Sequence, residues 1–204
     1  MKRVPTSARV VIGSDSLRVQ SAALLLALQL KDEATSAHST RVASYSIRIG
    51  REMGISDEDL TALRLGALLH DIGKLRVSNA LLNKTGRLTG EELEILREHP
   101  WRGENLVSAL DFPESVCRIV GQNHERVDGS GYPFNLKGED IALGARTVAV
   151  ADTFDAITHD RPYHRGECYG VARHEIAGWA GTLFDADVVA AFERIPQSDW
   201  RLAH

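Results

Sequence analysis

The chain has little cysteine, no run of positive charge and no long apolar segment. Cys117 and Cys168 lie far apart without a CxxC or Cys/His arrangement, which favours a reduced, intracellular setting over a disulfide framework. The opening MKRVPTSARVVIGSDS has no long apolar core, so we expect no signal peptide. The run AALLLALQL at 22–30 is too short to span a membrane. We therefore expect a cytoplasmic protein without membrane insertion.

The charge balance narrows the classes of partner. The net charge is −4, and no Lys/Arg run occurs among the 24 basic residues, so a long nucleic acid is not expected as a partner. A small phosphate ligand needs only a local positive cluster and stays open. With 204 residues, 43% of them hydrophobic and 25% charged, the chain is typical of a globular domain with one substantial core.

Strand signals are sparse, whereas apolar residues recur at helical spacing. Ser56 with Asp59, and Thr89 with Glu92, form the pattern of a helix-starting capping box. We predict an all-α, single-domain helical bundle, and short strand pairs near 130–140 are the alternative for that segment. The predicted domain covers 17–198, with a weakly structured lead-in at 1–16 and a tail at 199–204. Helices are expected at 17–31, 36–53, from Ser56 to HDIGK, from Thr89 to a stop before Pro100, and near 103–109, 113–123, 141–158, 167–180 and 186–195.

Several ionisable residues fall on the apolar stripes of these helices. His38 precedes Val42 by four residues, His70 follows Ala67 by three, and Asp152 and Asp155 lie on an apolar helix. A buried carboxylate without a partner is costly, so these groups are expected to neutralise one another or to bind a divalent metal. Each histidine taken alone is more often a hydrogen-bonded core residue, and His70 also suits a helix C-terminus. The joint pattern favours a metal.

The order of the motifs resembles a known family. His38 is followed by HDIGK at 70–74, HPWRG at 99–103, HERVDGSGYP at 124–133, VADTFDA at 150–156 and RPY at 161–163. Together they resemble the HD-GYP family within the HD superfamily of metal-dependent phosphohydrolases. The similarity covers about residues 20–195. Members of this family are mostly helical bacterial phosphodiesterases that open cyclic di-GMP to the linear dinucleotide, and in some cases form GMP.

The resemblance implies a site with two divalent metal ions, iron or manganese. His38, His70, Asp71 and Asp152 resemble the ligands of the first metal. Asp71 would bridge to a second metal held by His99 and His124, and a metal-bridging hydroxide would attack phosphorus.

Further roles also come from the resemblance. Lys74 resembles a lysine that neutralises phosphate charge, Tyr132 and Arg161 resemble ligand-binding residues, and Pro133 stiffens the GYP turn. Asp155 would orient the attacking water or a metal ligand. Gly129 and Gly131 are expected to favour positive φ angles.

Departures from the family pattern leave two further functions open. Asn123 stands where the family has a histidine and would be a poor second-site ligand. Ala34 replaces a glutamate that accompanies a third metal, so none is expected, and His164 replaces a basic residue. The main expectation is an active cyclic di-GMP phosphodiesterase. The alternatives are a catalytically weak module that binds cyclic di-GMP or a signalling protein such as a diguanylate cyclase, and a hydrolase for another nucleotide, including a mixed cyclic dinucleotide.

Overall fold

The computed structural model describes residues 14–160 and 165–200, and these form helices joined by turns. Throughout these two ranges there is no β-strand, and only an isolated bridge pairs Ala180 with Phe184. The predicted all-α fold is confirmed, and the alternative of strands near 130–140 is wrong. The α-helices are α1 (Ser14–Lys31), α2 (Glu33–Glu52), α3 (Asp57–Leu69), α4 (Asn79–Leu82), α5 (Gly90–Arg97), α6 (His99–Ala109), α7 (Glu114–Gln122), α8 (Leu143–Thr158), α9 (Tyr169–Gly178) and α10 (Ala186–Arg194).

Capping side chains fix where several helices begin. Ser56 accepts a hydrogen bond from the Asp59 amide. Thr89 and Glu92 form the complete reciprocal capping box at the start of α5, as predicted. The next helix, α6, begins at His99 rather than near 103, because Pro100 lies in its first turn, where the missing N–H leaves no helical hydrogen bond unmade.

The core has two parts that meet at α3. One part surrounds Phe154 of α8, whose ring contacts Tyr45, Phe192 and Trp200. The other joins α1, α3, α6 and α7 through residues such as Leu28 and Leu69. Since α3 contributes to both parts, its C-terminal end is held firmly, and His70 and Asp71 follow at that end.

Both predicted ends of the domain lie close to residues that the structure does not describe. Helix α1 already includes Ser14, and the remainder of the 1–16 lead-in lies outside the described residues. Trp200 is buried in the core, although we predicted a tail from 199 onward; residues 201–204 lie outside the described residues. The domain bounds stay a prediction. No helix in the described part of the chain is both long enough and apolar enough to cross a membrane.

Candidate metal centre

Three side chains from two segments meet beneath the end of α3. His38 lies on the inner face of α2, while His70 and Asp71 form the turn between α3 and a 3-10 helix at Ile72–Arg76. Ligand atoms of these three residues lie within 4.8 Å of one another. His70 and Asp71 are each 1% exposed, so water cannot solvate the Asp71 charge and neighbouring groups must balance it.

A second group of ligand atoms forms on the other side of Asp71. It joins Asp71 to His99, the first residue of α6, and to His124, which follows α7, again within 4.8 Å. Asp71 Oδ1 lies 3.4 Å from His99 Nε2, whereas Asp71 Oδ2 lies 3.6 Å from His70 Nε2. The two oxygens of one carboxylate therefore each face a different histidine group.

Backbone carbonyls fix which nitrogen of each ring is free. His70 Nδ1 lies 2.7 Å from the Ala67 carbonyl oxygen, and His99 Nδ1 lies 2.7 Å from that of Leu96. A carbonyl oxygen can only accept, so both Nδ1 atoms carry the proton and both Nε2 atoms present a lone pair in the neutral ring. His99 Nε2 is buried and makes no hydrogen bond. This is the orientation that a metal-binding histidine requires.

His38 is held by two carboxylates of α8. Its Nε2 lies 3.1 Å from Asp152 Oδ1, and its Nδ1 lies 2.6 Å from Asp155 Oδ2. Asp155 in turn accepts two hydrogen bonds from Arg41, one helical turn beyond His38, at 2.6 and 2.9 Å. Asp155 also lies 3.2 Å from His159 Nδ1. Asp155 therefore contacts Nδ1 of the His38 ring, while Asp152 contacts Nε2, the nitrogen that faces the site.

The pKa of His38 is shifted in the opposite direction from the pKa values of His99 and His124. Burial disfavours the charged form of His38, but the hydrogen bonds to Asp152 and Asp155 outweigh it and raise its pKa to about 9. Burial lowers the pKa of His99 to about 4 and of His124 to about 3. Both are therefore neutral near pH 7, which is the form that binds metals. Burial opposes the charge of Asp71, yet Lys74 and the histidines hold its pKa well below the usual range.

These observations fit a divalent metal. Imidazole nitrogens and carboxylate oxygens suit ions such as Fe²⁺, Mn²⁺ and Zn²⁺. The neutral His99 and His124 rings, the Nδ1 atoms of His70 and His99 held by carbonyls and the buried His99 Nε2 without a hydrogen-bond partner all match that donor set.

The loop after His124 covers one side of this cluster. The Tyr132 ring stacks on the His124 ring at 4.9 Å between centroids, with 17° between planes, and the Arg97 guanidinium lies 5.5 Å from the Tyr132 centroid. The Tyr132–Pro133 peptide bond is cis. Buried Glu125 accepts hydrogen bonds from the amides of Phe134 and Leu136, which closes the loop on itself.

Two glycines of this loop are needed for different reasons. Gly129 has a φ of +85°, as expected, whereas the positive φ expected at Gly131 is wrong. A Cβ at Gly131 would lie 2.3 Å from the Arg126 amide nitrogen and 2.4 Å from the Glu125 Cα. Close contact between two backbone segments therefore requires glycine at that position.

The residues that form this cluster lie in a segment that matches a known protein family. The family model described as "HD domain" matches residues 23–188. The chain belongs to the HD domain family. The resemblance noted in the sequence is thereby confirmed, and the helical structure agrees with it.

Relatives of known name share this domain. The chain is 40% identical to a protein of Pseudomonas aeruginosa named cyclic di-GMP phosphodiesterase PA4108, over 89% of this chain and 44% of that protein. It is 39% identical to the cyclic di-GMP phosphodiesterase of Thermotoga maritima, over 82% and 46%. It is 44% identical to the 3'3'-cGAMP-specific phosphodiesterase 3 of Vibrio cholerae, over 65% and 29%. The chain thus spans less than half the length of these relatives.

Solved structures agree on the fold. Bd1817, an HDG"Y"P protein from Bdellovibrio bacteriovorus, superposes with a TM-score of 0.67 at 23% identity, over 88% of this chain and 63% of that one. The V. cholerae phosphodiesterase V-cGAP3 gives a TM-score of 0.65 at 22% identity, over 87% and 48%.

Within the HD domain, Asn123 and Lys74 contact the histidine cluster in different ways. The Asn123 amide nitrogen donates to the carbonyls of His70 and Val120 at 3.2 and 2.7 Å, and its Oδ1 is buried without a partner. Asn123 therefore connects the turn at His70 and Asp71 to α7 through hydrogen bonds. Lys74 Nζ lies 2.7 Å from Asp71 Oδ2, and its side chain is partly exposed beside the cluster.

The structure brings together the predicted residues His38, His70, Asp71, Lys74, His99, His124, Tyr132, Asp152 and Asp155. Arg161 and His164 lie outside the described residues, so their predicted part in ligand binding is not located. Sequence reasoning missed Arg41, Glu125 and Arg126. The three-residue spacing between His38 and Arg41 on one helix was the available signal for Arg41. Arg126, whose guanidinium lies 5.0 Å from the Phe184 ring centroid, gave no comparable signal.

Proposed function

We propose that this chain is a metal-dependent phosphodiesterase that hydrolyses cyclic di-GMP to the linear dinucleotide. The observation that carries the proposal is the shared carboxylate of Asp71, whose two oxygens face separate histidine groups. Such a pair of adjoining ligand groups is what a two-metal phosphodiester hydrolase requires. The names of the relatives from P. aeruginosa and T. maritima support the substrate.

The residues divide into two ligand sets. His38, His70, Asp71 and Asp152 would hold a first metal, and Asp71, His99 and His124 a second, with iron or manganese as the ions these donors suit. When bound, the metals supply Lewis-acid activation of the phosphate and of the attacking water. Asp155 orients the His38 ring through Nδ1, and Arg41 holds Asp155 in place.

Other side chains bind and orient the substrate. Lys74 places an ammonium group next to Asp71, where it can balance charge on a phosphate oxygen. Burial raises the pKa of Tyr132 to about 12, so its phenol stays protonated and can donate a hydrogen bond to the ligand. Glu125 accepts a hydrogen bond from the Phe134 amide and so closes the loop that presents Tyr132, and Pro133 stiffens that turn. By the resemblance of its RPY motif, Arg161 would bind the ligand.

A second candidate function is supported by Asn123. Its side-chain amide donates to two backbone carbonyls, so the second ligand set has only three residues. A weakly occupied second site would leave a module that binds cyclic di-GMP, or a signalling partner, without rapid turnover. The relative named for 3'3'-cGAMP supports a test of that dinucleotide as substrate.

The proposal is tested by anaerobic purification and an assay with Fe²⁺ or Mn²⁺, in which products from cyclic di-GMP and 3'3'-cGAMP are separated by ion-exchange chromatography. We expect a linear dinucleotide from cyclic di-GMP, and none from the Asp71→Asn variant. Binding of cyclic di-GMP without product under both metals would support the binding module instead. Faster turnover of 3'3'-cGAMP would reassign the substrate.

A further inference from the structure

Two arginines that hold no metal ligand lie beside Tyr132. The Arg97 guanidinium lies 5.5 Å from the Tyr132 ring centroid, and Arg126 belongs to the segment that leads from His124 to Tyr132. Burial and nearby carboxylates raise the pKa of the Tyr132 phenol to about 12, and both arginines oppose this rise. Since a charge shifts a pKa in this way only at short range, both guanidinium groups lie close to the Tyr132 hydroxyl.

Arg126 carries a hydrogen-bond donor that the described fold does not use. Its guanidinium lies 5.0 Å from the centroid of the Phe184 ring, a contact that provides no oxygen acceptor. Arg126 Nη1 is buried and makes no hydrogen bond to any described residue, and burial lowers the pKa of this side chain. A buried charged donor without an acceptor is costly, so an anionic ligand would stabilise this part of the site.

Arg97 is also available to a ligand. Among the described residues it forms an ion pair with Glu94, at 3.3 Å, in which the two side chains are 46% and 72% exposed. An exposed pair of this kind contributes little free energy, so a phosphate can replace the glutamate at small cost. Lys74, by contrast, is held by the buried Asp71 carboxylate.

These cations occupy two separate positions around the metal centre. Lys74 contacts the carboxylate that both ligand groups share, whereas Arg97 and Arg126 lie at Tyr132, whose ring stacks on His124. Cyclic di-GMP contains two phosphodiester groups in one ring, and only the group that is being cleaved lies at the metal ligands. The other group carries a negative charge that needs its own partner, and guanidinium groups are well suited to bind phosphate oxygens.

We propose that Arg97, Arg126 and the Tyr132 hydroxyl bind the phosphodiester of a cyclic dinucleotide that is not being cleaved. The inference rests on the function proposed above and gives a physical reason for its substrate class. Positive charge outside the ligand groups favours a substrate with two phosphodiesters over one with a single phosphodiester. Because cyclic di-GMP and 3'3'-cGAMP both have two, this subsite serves either dinucleotide.

The test compares cyclic di-GMP with bis(p-nitrophenyl) phosphate, which has a single phosphodiester. Cleavage of both is measured with the whole Mn²⁺-loaded chain and with its Arg97→Met and Arg126→Gln variants. We expect each substitution to raise KM for cyclic di-GMP about tenfold with little change in kcat, because the contact is equally strong before and during cleavage. For bis(p-nitrophenyl) phosphate we expect a change in kcat/KM of less than about twofold.

Arg173→Met is the matched control. Arg173 is 49% exposed and lies 3.3 Å from Glu193 on a different part of the surface, so its exposure and its ion pair resemble those of Arg97. We expect this variant to cleave both substrates as the parent does. Circular dichroism shows whether each variant folds, and Arg97→Met at its exposed position tests the proposal even if Arg126→Gln does not fold.

Binding of cyclic di-GMP to the metal-free chain, measured by calorimetry, needs no turnover. We expect Arg97→Met and Arg126→Gln each to weaken this binding about tenfold as well. If the parent cleaves neither substrate but these variants still lose affinity, the proposed activity fails and the subsite stands. Equal losses with both substrates, or an affinity for cyclic di-GMP that neither substitution changes, would overturn the subsite.

Discussion

The two histidine groups share Asp71 but differ in the negative charge around them. His38 contacts two carboxylates besides lying near Asp71, and its pKa rises to about 9. His99 has Asp71 as its negative neighbour and His124 has Asp152 and Asp71, but neither ring makes a hydrogen bond to a carboxylate of a described residue, and burial lowers their pKa values to about 4 and about 3. A set rich in carboxylates binds a divalent ion more strongly than one rich in neutral imidazoles when the ion is hard. We therefore expect unequal metal affinities, with the first set stronger.

Removal of the shared carboxylate should have the largest effect. Asp71→Asn takes the bridging charge from both groups, so we expect loss of both metals and a fall in turnover of more than about a thousandfold. The measurements are metal content and the rate of cyclic di-GMP cleavage. Asp111→Asn, at an exposed residue with a φ of +57° that asparagine tolerates, is the matched control. Retention of one full equivalent of metal in Asp71→Asn would show that the two groups are independent.

The stability of the metal-free protein should depend on pH in both directions. The raised pKa of His38 gives stability that is complete below pH 6.5 and is lost as pH rises towards about 9. The lowered pKa values of His99 and His124 give the opposite sign, because the unfolded chain takes up protons below pH 6.5. Stability should therefore be greatest near pH 6.5 and fall by on the order of several kcal/mol towards pH 4.

Urea denaturation of the metal-free protein at a series of pH values measures this dependence. The variants separate its two sides, since His99→Gln should flatten the acid side and His38→Gln the alkaline side. A stability that rises steadily from pH 6.5 to pH 9 would contradict the charge distribution described for His38.

The contact between Asp155 and His38 should set the affinity of the first group alone. Asp155→Asn removes the charge that orients His38 Nδ1, and we expect a loss of about 10- to 100-fold in metal affinity at the first group. Arg41→Met should act in the same direction with a smaller effect, and Arg51→Met, at an exposed position of the same helix, should have none. A calorimetric titration with metal measures the affinity of each ligand group separately. An equal loss at both would mean that Asp155 acts on the fold and not on His38.

The smallest change is expected at Asn123, where a histidine could strengthen the second group. Asn123→His adds an imidazole beside His70 and His124 but gives up the hydrogen bonds to the His70 and Val120 carbonyls. We expect roughly tenfold tighter binding at the second group and faster turnover. Asn123→Ala loses the same hydrogen bonds without adding a ligand and serves as the control. If Asn123→His binds no more metal and cleaves no faster than the parent, Asn123 does not limit the second group.

The sequence predicts which ionisable residues meet at the site better than it predicts the residues that support them. Helical spacing places His38 and His70 on apolar stripes, the family resemblance adds their role as ligands, and the structure brings the two side chains together. Asp155 is expected to orient either water or a metal ligand, and in the structure it contacts His38, which lies 117 positions away in the chain. Arg41 could not be paired with Asp155 in advance, since their contact depends on how α2 packs on α8. Gly131 was misjudged for the same reason, because its close neighbours are backbone atoms of the folded loop.

The most direct test of the central claim is a calorimetric titration of the metal-free protein with Mn²⁺ under anaerobic conditions, run in parallel on the Asp71→Asn variant. The claim is that Asp71 joins two ligand groups of unequal strength. It predicts two binding steps of different affinity in the parent chain and the loss of both in the variant. A single step in the parent, or two steps that survive Asp71→Asn, would contradict it.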